Sequence, residues 1–268
     1  GVPPNSITFI CILKAYGEIG SLDKGKQIHD EILRLGFMEK DIMLVTTLAG
    51  MYAKCGALEK AQEMLERLPV QDTVSWSALI AGYALQGQED EVLKCFERLQ
   101  RGNLSIDEVT LTSMVKACRN VGAFDKGKQI HEEIARKGLL EKDITLATAL
   151  VDMYAKFSLL PRAQQVVEEL PLRNIAPWNA LMSGYVEGGH GHKALNCLEM
   201  AQKEGLSPNE VTFLCTLKAC GIIGAINKGR DVHYSLVSRG LLEKDIAVGT
   251  ALIDMYAKCG ALSKAERV

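Results

Sequence analysis

The chain has 268 residues, 47 % hydrophobic and 24 % charged, and its 31 basic and 33 acidic side chains leave a formal net charge of −2. That is near the average for globular chains, and no apolar run approaches the roughly 18 residues of a membrane span. The lack of a basic excess weighs against nonspecific nucleic-acid binding, although charge segregated onto two faces would escape a net count.

Residues 1–5 read as the tail of a preceding unit, and 6–41 as a unit of 36 residues. This unit holds Asp23-Lys24-Gly25-Lys26-Gln27-Ile28-His29, which returns 102 residues later as Asp125 to His131 and again as Asn227 to His233. Residues 42–72 make a unit of 31 and residues 73–107 one of 35. Met51-Tyr52-Ala53-Lys54-Cys55-Gly56-Ala57-Leu58 comes back 204 residues later as Met255 to Leu262, with a looser copy halfway, at Met153 to Leu160. The block repeats as 108–143, 144–174 and 175–209; a third begins with 210–245 and is cut off within 246–268. A fixed period marks a repeat architecture, in which each unit packs only on its neighbours. The pattern stops inside a helix at Val268, so a longer array is expected.

Each unit scans as two helices. Leu44, Leu48, Met51 and Tyr52 fall on one helical face, as do Leu146, Leu150, Met153 and Tyr154, and Val248, Leu252, Met255 and Tyr256. Gly56 and Gly260 stand where the first helix must stop in a left-handed turn, with Ser158 less at ease in that place. A second helix runs through Leu58, Ala61, Met64, Leu65 and Leu68 to a stop at Pro69. No long stretch alternates with period two. The predicted fold is all-α, an α-solenoid superhelix of stacked helical hairpins.

The eight cysteines are read as packing residues in a reducing compartment, because at a shift of 102 six of them exchange with Tyr16, Phe157 and Ser113. No CxxC pair occurs. Trp76 and Trp178 are read as packing between helices. His29, His131 and His233 recur once per block; three hairpins separate each pair, and helices about 8–10 Å apart hold them too distant to share a site. Gly188-Gly189-His190-Gly191-His192 falls at a hairpin turn, and the deaminase signature HxE…PCxxC does not occur in the chain. Neither a metal, a cofactor, a small-molecule substrate nor catalysis is expected.

Repeats of this length with two helices are tetratricopeptide-like or pentatricopeptide-like. Units of 36, 31 and 35 residues in rotation, with Leu-Lys-Ala-Cys (217–220), Gly-Lys-Gln-Ile-His (25–29, 127–131), Met-Tyr-Ala-Lys-Cys-Gly (51–56, 255–260) and Val-Ser-Trp-Ser-Ala-Leu-Ile (74–80), resemble the L-, S- and P-type motifs of plant PLS-class pentatricopeptide repeat proteins. The resemblance covers essentially the whole chain. It implies single-stranded RNA binding, one base per repeat, read by the fifth and last residues of a motif. The pairs are Thr46 with Asp72, Ser77 with Asp107, Thr148 with Asn174, and Asn179 with Asn209; Thr250 lacks a partner within the chain. Asp can only accept hydrogen bonds and suits the imino N–H of guanine or uracil, whereas Asn also donates. The implied core ligand is 5′-GGNAY-3′.

The L-type pairs (Ile10 with Asp41, Thr112 with Asp143, Leu214 with Asp245) are expected to read poorly. The second residue of a unit would press on a base face: Met43, Val74, Val109, Thr145, Ala176 and Val211. Lys54, Lys156 and Lys258 could meet phosphate. The resemblance also implies a mitochondrial or chloroplast setting and site selection for RNA processing such as C-to-U editing. Accessory editing proteins, or a deaminase recruited or carried on a C-terminal extension, would then be partners. The competing reading is a tetratricopeptide-like scaffold for peptides, without RNA binding, which the near-neutral charge favours.

Overall fold

The computed structural model describes residues 4–38, 41–66, 68, 73–102, 105–171, 174–242 and 246–268. They form sixteen helices and no strand. The first eight are α1 (Ser6–Ile19), α2 (Leu22–Arg34), α3 (Ile42–Lys54), α4 (Leu58–Glu66), α5 (Thr73–Leu85), α6 (Glu89–Arg101), α7 (Glu108–Val121) and α8 (Phe124–Arg136). The rest are α9 (Ile144–Lys156), α10 (Leu160–Glu169), α11 (Ile175–Glu187), α12 (Gly191–Lys203), α13 (Glu210–Ile223), α14 (Ile226–Ser238), α15 (Ile246–Lys258) and α16 (Leu262–Ala265). The fold is the all-α solenoid of stacked hairpins that the period predicts, and it divides into two compact units, residues 1–130 and 131–268.

In the first unit α1, α3, α5 and α7 lie side by side, with α2, α4 and α6 packed against them; in the second, α9, α11, α13 and α15 do the same, backed by α10, α12, α14 and α16. This layering explains the two kinds of helix sequence. A first helix such as α3 (IMLVTTLAGMYAK) meets helices on several sides and is apolar over most of its surface. A second helix such as α2 (LDKGKQIHDEILR) buries only the stripe Gly25, His29 and Ile32 and carries charge elsewhere.

The predicted stripes are the core. Leu44, Leu48, Met51 and Tyr52 are buried, as are their equivalents on α9 and α15. Each such aliphatic side chain contributes about 1.5–3 kcal/mol when removed from water. Leu58, Ala61, Met64 and Leu65 are likewise buried on α4, which ends at Glu66; Leu68 is half-buried beyond it, and Pro69 lies outside the described residues. Gly56 and Gly260 adopt φ of 78° and 75°, and Ser158, at 59°, is the one non-glycine residue with positive φ among those described.

The recurrent Lys-Gly-Lys-Gln-Ile-His string has a packing cause. A Cβ on Gly25 would fall 2.4 Å from the sulfur of Met51, and one on Gly229 2.5 Å from that of Met255, so only glycine lets α2 and α14 approach the next helix. One turn on, the histidine completes the joint. Nδ1 of His29, His131 and His233 lies 2.8, 2.6 and 3.0 Å from the hydroxyl of Tyr52, Tyr154 and Tyr256. These histidines tie hairpin to hairpin, in keeping with a structural role. Both tryptophans are buried as expected. One cysteine departs from expectation: Cys11 is exposed, whereas its equivalent Cys215 is buried on α13, where α12 packs. No described helix precedes α1 to cover Cys11.

Candidate nucleic-acid interface

The site is built from the first turns of the first helices. The second residue of a unit stands just inside its helix and turns to solvent: Met43, Val74 and Val109 are 66 %, 78 % and 73 % exposed, and Val211 and Thr145 are exposed as well. Ala176 is half-buried. Ile7 and Ala247, both exposed, occupy the same place in the first and last units and were not singled out by sequence. Single exposed aliphatic side chains are ordinary; aliphatic side chains exposed at one register position in successive hairpins are a built feature.

The fifth residue follows three positions on, over the same face. The last residue of the unit proves to be the N-cap of the next unit's first helix. Asn5, Asp41, Asp107, Asp143, Asn174 and Asn209 each accept a backbone N–H of the helix they open. Asp72 and Asp245 lie outside the described residues. Capping fixes what remains to be offered. An aspartate keeps one carboxylate oxygen as acceptor, whereas an asparagine whose Oδ1 faces the helix keeps its Nδ2 as donor.

Two of the predicted pairs are brought together. Ser77 Oγ donates to Asp107 Oδ2 at 3.3 Å, while Asp107 Oδ1 accepts the Thr110 N–H at 2.8 Å. Asn179 Nδ2 donates to Asn209 Oδ1 at 3.0 Å, and the Thr212 N–H reaches the same oxygen at 3.1 Å. Asn209 and Asp107 are exposed and Ser77 half-buried, but Asn179 is only 6 % exposed, so it orients Asn209 more than it presents itself.

The S-type units differ. Thr46, Thr148 and Thr250 turn their hydroxyls back to the carbonyls of Met43, Ile144 and Ile246 at 3.0, 2.7 and 2.8 Å. Asn174 meanwhile accepts from Ala176 N at 2.8 Å. Among L-type fifth residues, Ile10 and Leu214 are half-buried and Thr112 is buried and bonded to Glu108 O at 2.8 Å.

Lys54, Lys156 and Lys258 are exposed, but two of them already hold carboxylates. Lys54 pairs with Glu18, and its ammonium holds that carboxyl below the usual glutamate range; Lys258 lies 2.7 Å from Asp254. Sequence reading missed a second lysine set. Lys14, Lys116 and Lys218 fill the ninth place of the L-type units, seven residues past the exposed aliphatic and on its face. All three are exposed, without an ion-pair partner among the described residues. The signal was present, since the three share the 102-residue period. Among the described residues no His, Cys, Asp and Glu cluster could hold a metal ion, and no helix is long and apolar enough to cross a membrane. His190 lies in the turn between α11 and α12.

Family models described as PPR repeat family match residues 71–120 and 173–221, and models described as PPR repeat match 7–37, 44–71, 109–139 and 250–268. The chain belongs to the pentatricopeptide repeat family. A pentatricopeptide repeat-containing protein of Arabidopsis thaliana named as chloroplastic is 35 % identical over 265 residues, 99 % of this chain and 42 % of that protein. Another from the same plant, named as mitochondrial, is 31 % identical over 98 % of this chain and 47 % of its own length. The chain thus spans less than half of these pentatricopeptide relatives. Among solved structures, the pentatricopeptide repeat protein PPR10 in complex with an 18-nt psaJ RNA element superposes on the whole chain with a TM-score of 0.70, at 19 % identity and over 40 % of its own length. PPR10 from maize superposes with 0.56 at 17 % identity, covering 98 % of this chain and 43 % of that one. These likenesses bear out the solenoid and set the tetratricopeptide family aside.

Proposed function

We propose that this chain is an RNA-recognition tract of the PLS type, binding single-stranded RNA one base per hairpin. The observation that carries the reading is one of register. From residue 73 to 209 an outward second residue (Val74, Val109, Thr145, with Ala176 half-buried), a polar fifth residue (Ser77, Thr112, Thr148, Asn179) and the next helix's N-cap (Asp107, Asp143, Asn174, Asn209) recur together in each unit, and in the P-type units the last two are bonded to each other. An aliphatic side chain offers a base a stacking surface without preference. The cap then supplies the choice: Asp107 Oδ2, which Ser77 leaves a second lone pair, accepts from guanine N1–H, and the spare amide N–H groups of Asn174 and Asn209 donate to ring nitrogens or carbonyls. Lys14, Lys116 and Lys218 stand on the same faces for the phosphates. Pentatricopeptide proteins of related sequence are named as chloroplastic or mitochondrial, and PPR10 is described in complex with RNA, which supports an organellar RNA role. The rotation of 36, 31 and 35 residues supports the PLS type, and with it site selection for C-to-U editing by a separate deaminase.

The experiment is a binding titration of the chain against 5′-GGNAY-3′ RNA and scrambled RNA of the same composition. Each matched reader is worth about 1 kcal/mol, or about fivefold in affinity, so the matched RNA binds at least tenfold tighter. Equal affinity for the scrambled RNA overturns the reading. Asn174→Asp replaces a donor with an acceptor and shifts preference at its base from A toward G.

A further inference from the structure

We infer that Thr110 and Thr212 are positioning residues. Each locks the base-reading pair of the hairpin before it, so the L-type units, poor readers themselves, set how sharply the P-type units discriminate. The inference rests on the RNA reading above and deepens it.

Both threonines are the third residue of an L-type unit, and both are buried. Thr110 Oγ1 donates to Ser77 Oγ at 2.7 Å, and of the two acceptors within reach of Thr212 Oγ1, Asn179 Oδ1 at 2.7 Å is nearer than Asn209 Oδ1 at 3.0 Å and takes the proton. A hydroxyl has one proton to give. With its lone pair taken by Thr110, Ser77 directs its own proton to Asp107. With Oδ1 of Asn179 held by Thr212, its Nδ2 must face Asn209, which keeps the Asn209 oxygen turned inward and its Nδ2 free. Donor and acceptor at the reading edge are thereby fixed before any base arrives. Remove the hydroxyl, and the Asn179 amide loses the bond that tells its two ends apart.

Ordinary helix capping does not account for this arrangement. The capping box explains the bonds between Thr212 and Asn209, three residues apart, but not those reaching back to Asn179 and Ser77, 33 residues earlier. Four other junctions supply the contrast. The third residues of the S-type units are Leu44, Leu146 and Val248, and that of the unit opened by Asn174 is Pro177, so none of these four has a hydroxyl to offer; Ser75, third in the unit 73–107, has one, but the cap before it, Asp72, lies outside the described residues. Thr148 accordingly bonds to its own helix. Thr8 provides an internal control. It caps with Asn5 through the same two contacts, at 3.0 and 2.9 Å, and has no described fifth-place side chain before it to hold.

The test compares Thr212→Val, Thr212→Ser, Thr8→Val and the unmodified chain. The probes are RNAs carrying each of the four bases opposite Asn209, and A or G opposite Asn174. Thr212→Val should reduce the pyrimidine-over-purine ratio at its own base about fivefold while leaving the A-over-G ratio opposite Asn174 unchanged. Thr212→Ser should restore it, and Thr8→Val should change neither ratio. A folded Thr212→Val chain that keeps the full ratio overturns the inference, as does an equal loss in Thr8→Val. A chain without preference at any base in its unmodified form overturns the RNA reading itself. Should Thr212→Val fail to fold, hydroxyl-proton exchange in the unmodified protein decides: a Thr212 proton slower than that of Thr8 supports the lock, and one equally fast overturns it.

Discussion

Ser158 shows how closely a single residue reports on its turn. It occupies the place of Gly56 and Gly260, with φ of 59°, in the region where a Cβ crowds the following carbonyl. Ser158→Gly removes that strain at some cost in unfolded-chain entropy, and is expected to stabilise by about 1 kcal/mol, read as a raised urea midpoint. Trp76 makes the complementary case. Its indole Nε1 is buried without a hydrogen-bond partner among the described residues, whereas Nε1 of Trp178 donates to Glu204 at 3.1 Å. The residue equivalent to Glu204 is Gly102, with φ of −78°, the same as Glu204 and open to any side chain. Gly102→Glu supplies the missing carboxylate and should stabilise by about 1–2 kcal/mol. The same change paired with Trp76→Phe should return only the smaller glycine-replacement gain. The period showed that both tryptophans are packed; their difference in partner lies in a residue 26 positions away that no local pattern connects to the indole.

At the scale of helices, the His–Tyr joints give a pH signature. Burial pushes His29, His131 and His233 below the usual histidine range; nearby Lys60, Arg162 and Lys264 add to that at the respective sites, while Asp30, Glu63, Glu132 and Glu169 oppose it at the first two. A folded-state value below the unfolded one means that the unfolded chain takes up protons first. The stabilisation is complete above about pH 6.5 and is lost as pH falls through the folded values. Urea unfolding should therefore show a midpoint that declines below pH 6.5, before the carboxylates titrate. The triple variant His29→Gln, His131→Gln and His233→Gln should flatten that part of the curve while lowering its plateau. The helices themselves were legible in the sequence because burial imposes a period that a stripe of Leu, Met and Tyr records. Capping was not read, although Asp and Asn before a helix is a known signal. A unit counted from the first residue of its helix puts each cap at the end of one repeat, not at the opening of the next.

For the whole molecule, a net charge of −2 conceals an uneven use of lysine. Lys54 is held by Glu18 from another hairpin, 36 residues away, so its neutralisation could not be read from local spacing. Lys258 is held by Asp254 one turn back, whereas Lys14, Lys116 and Lys218 are free of ion pairs among the described residues. A lysine already paired must give up its carboxylate to bind phosphate, and so gains less from RNA than a free one. Each phosphate contact on a single strand adds about 0.7 to the slope of log affinity against log salt. Replacing Lys14, Lys116 and Lys218 together by Gln should lower that slope by about 2 and weaken matched and scrambled RNA by the same factor, because phosphates carry no sequence information. Replacing Lys54 and Lys258 should lower it by clearly less than 1.4, the value two free contacts would give, roughly 0.7 each. Titrations at four or more salt concentrations separate the two sets. A slope that drops with Lys54 and Lys258 and holds with the other three would move the phosphate path from the L-type units to the S-type ones.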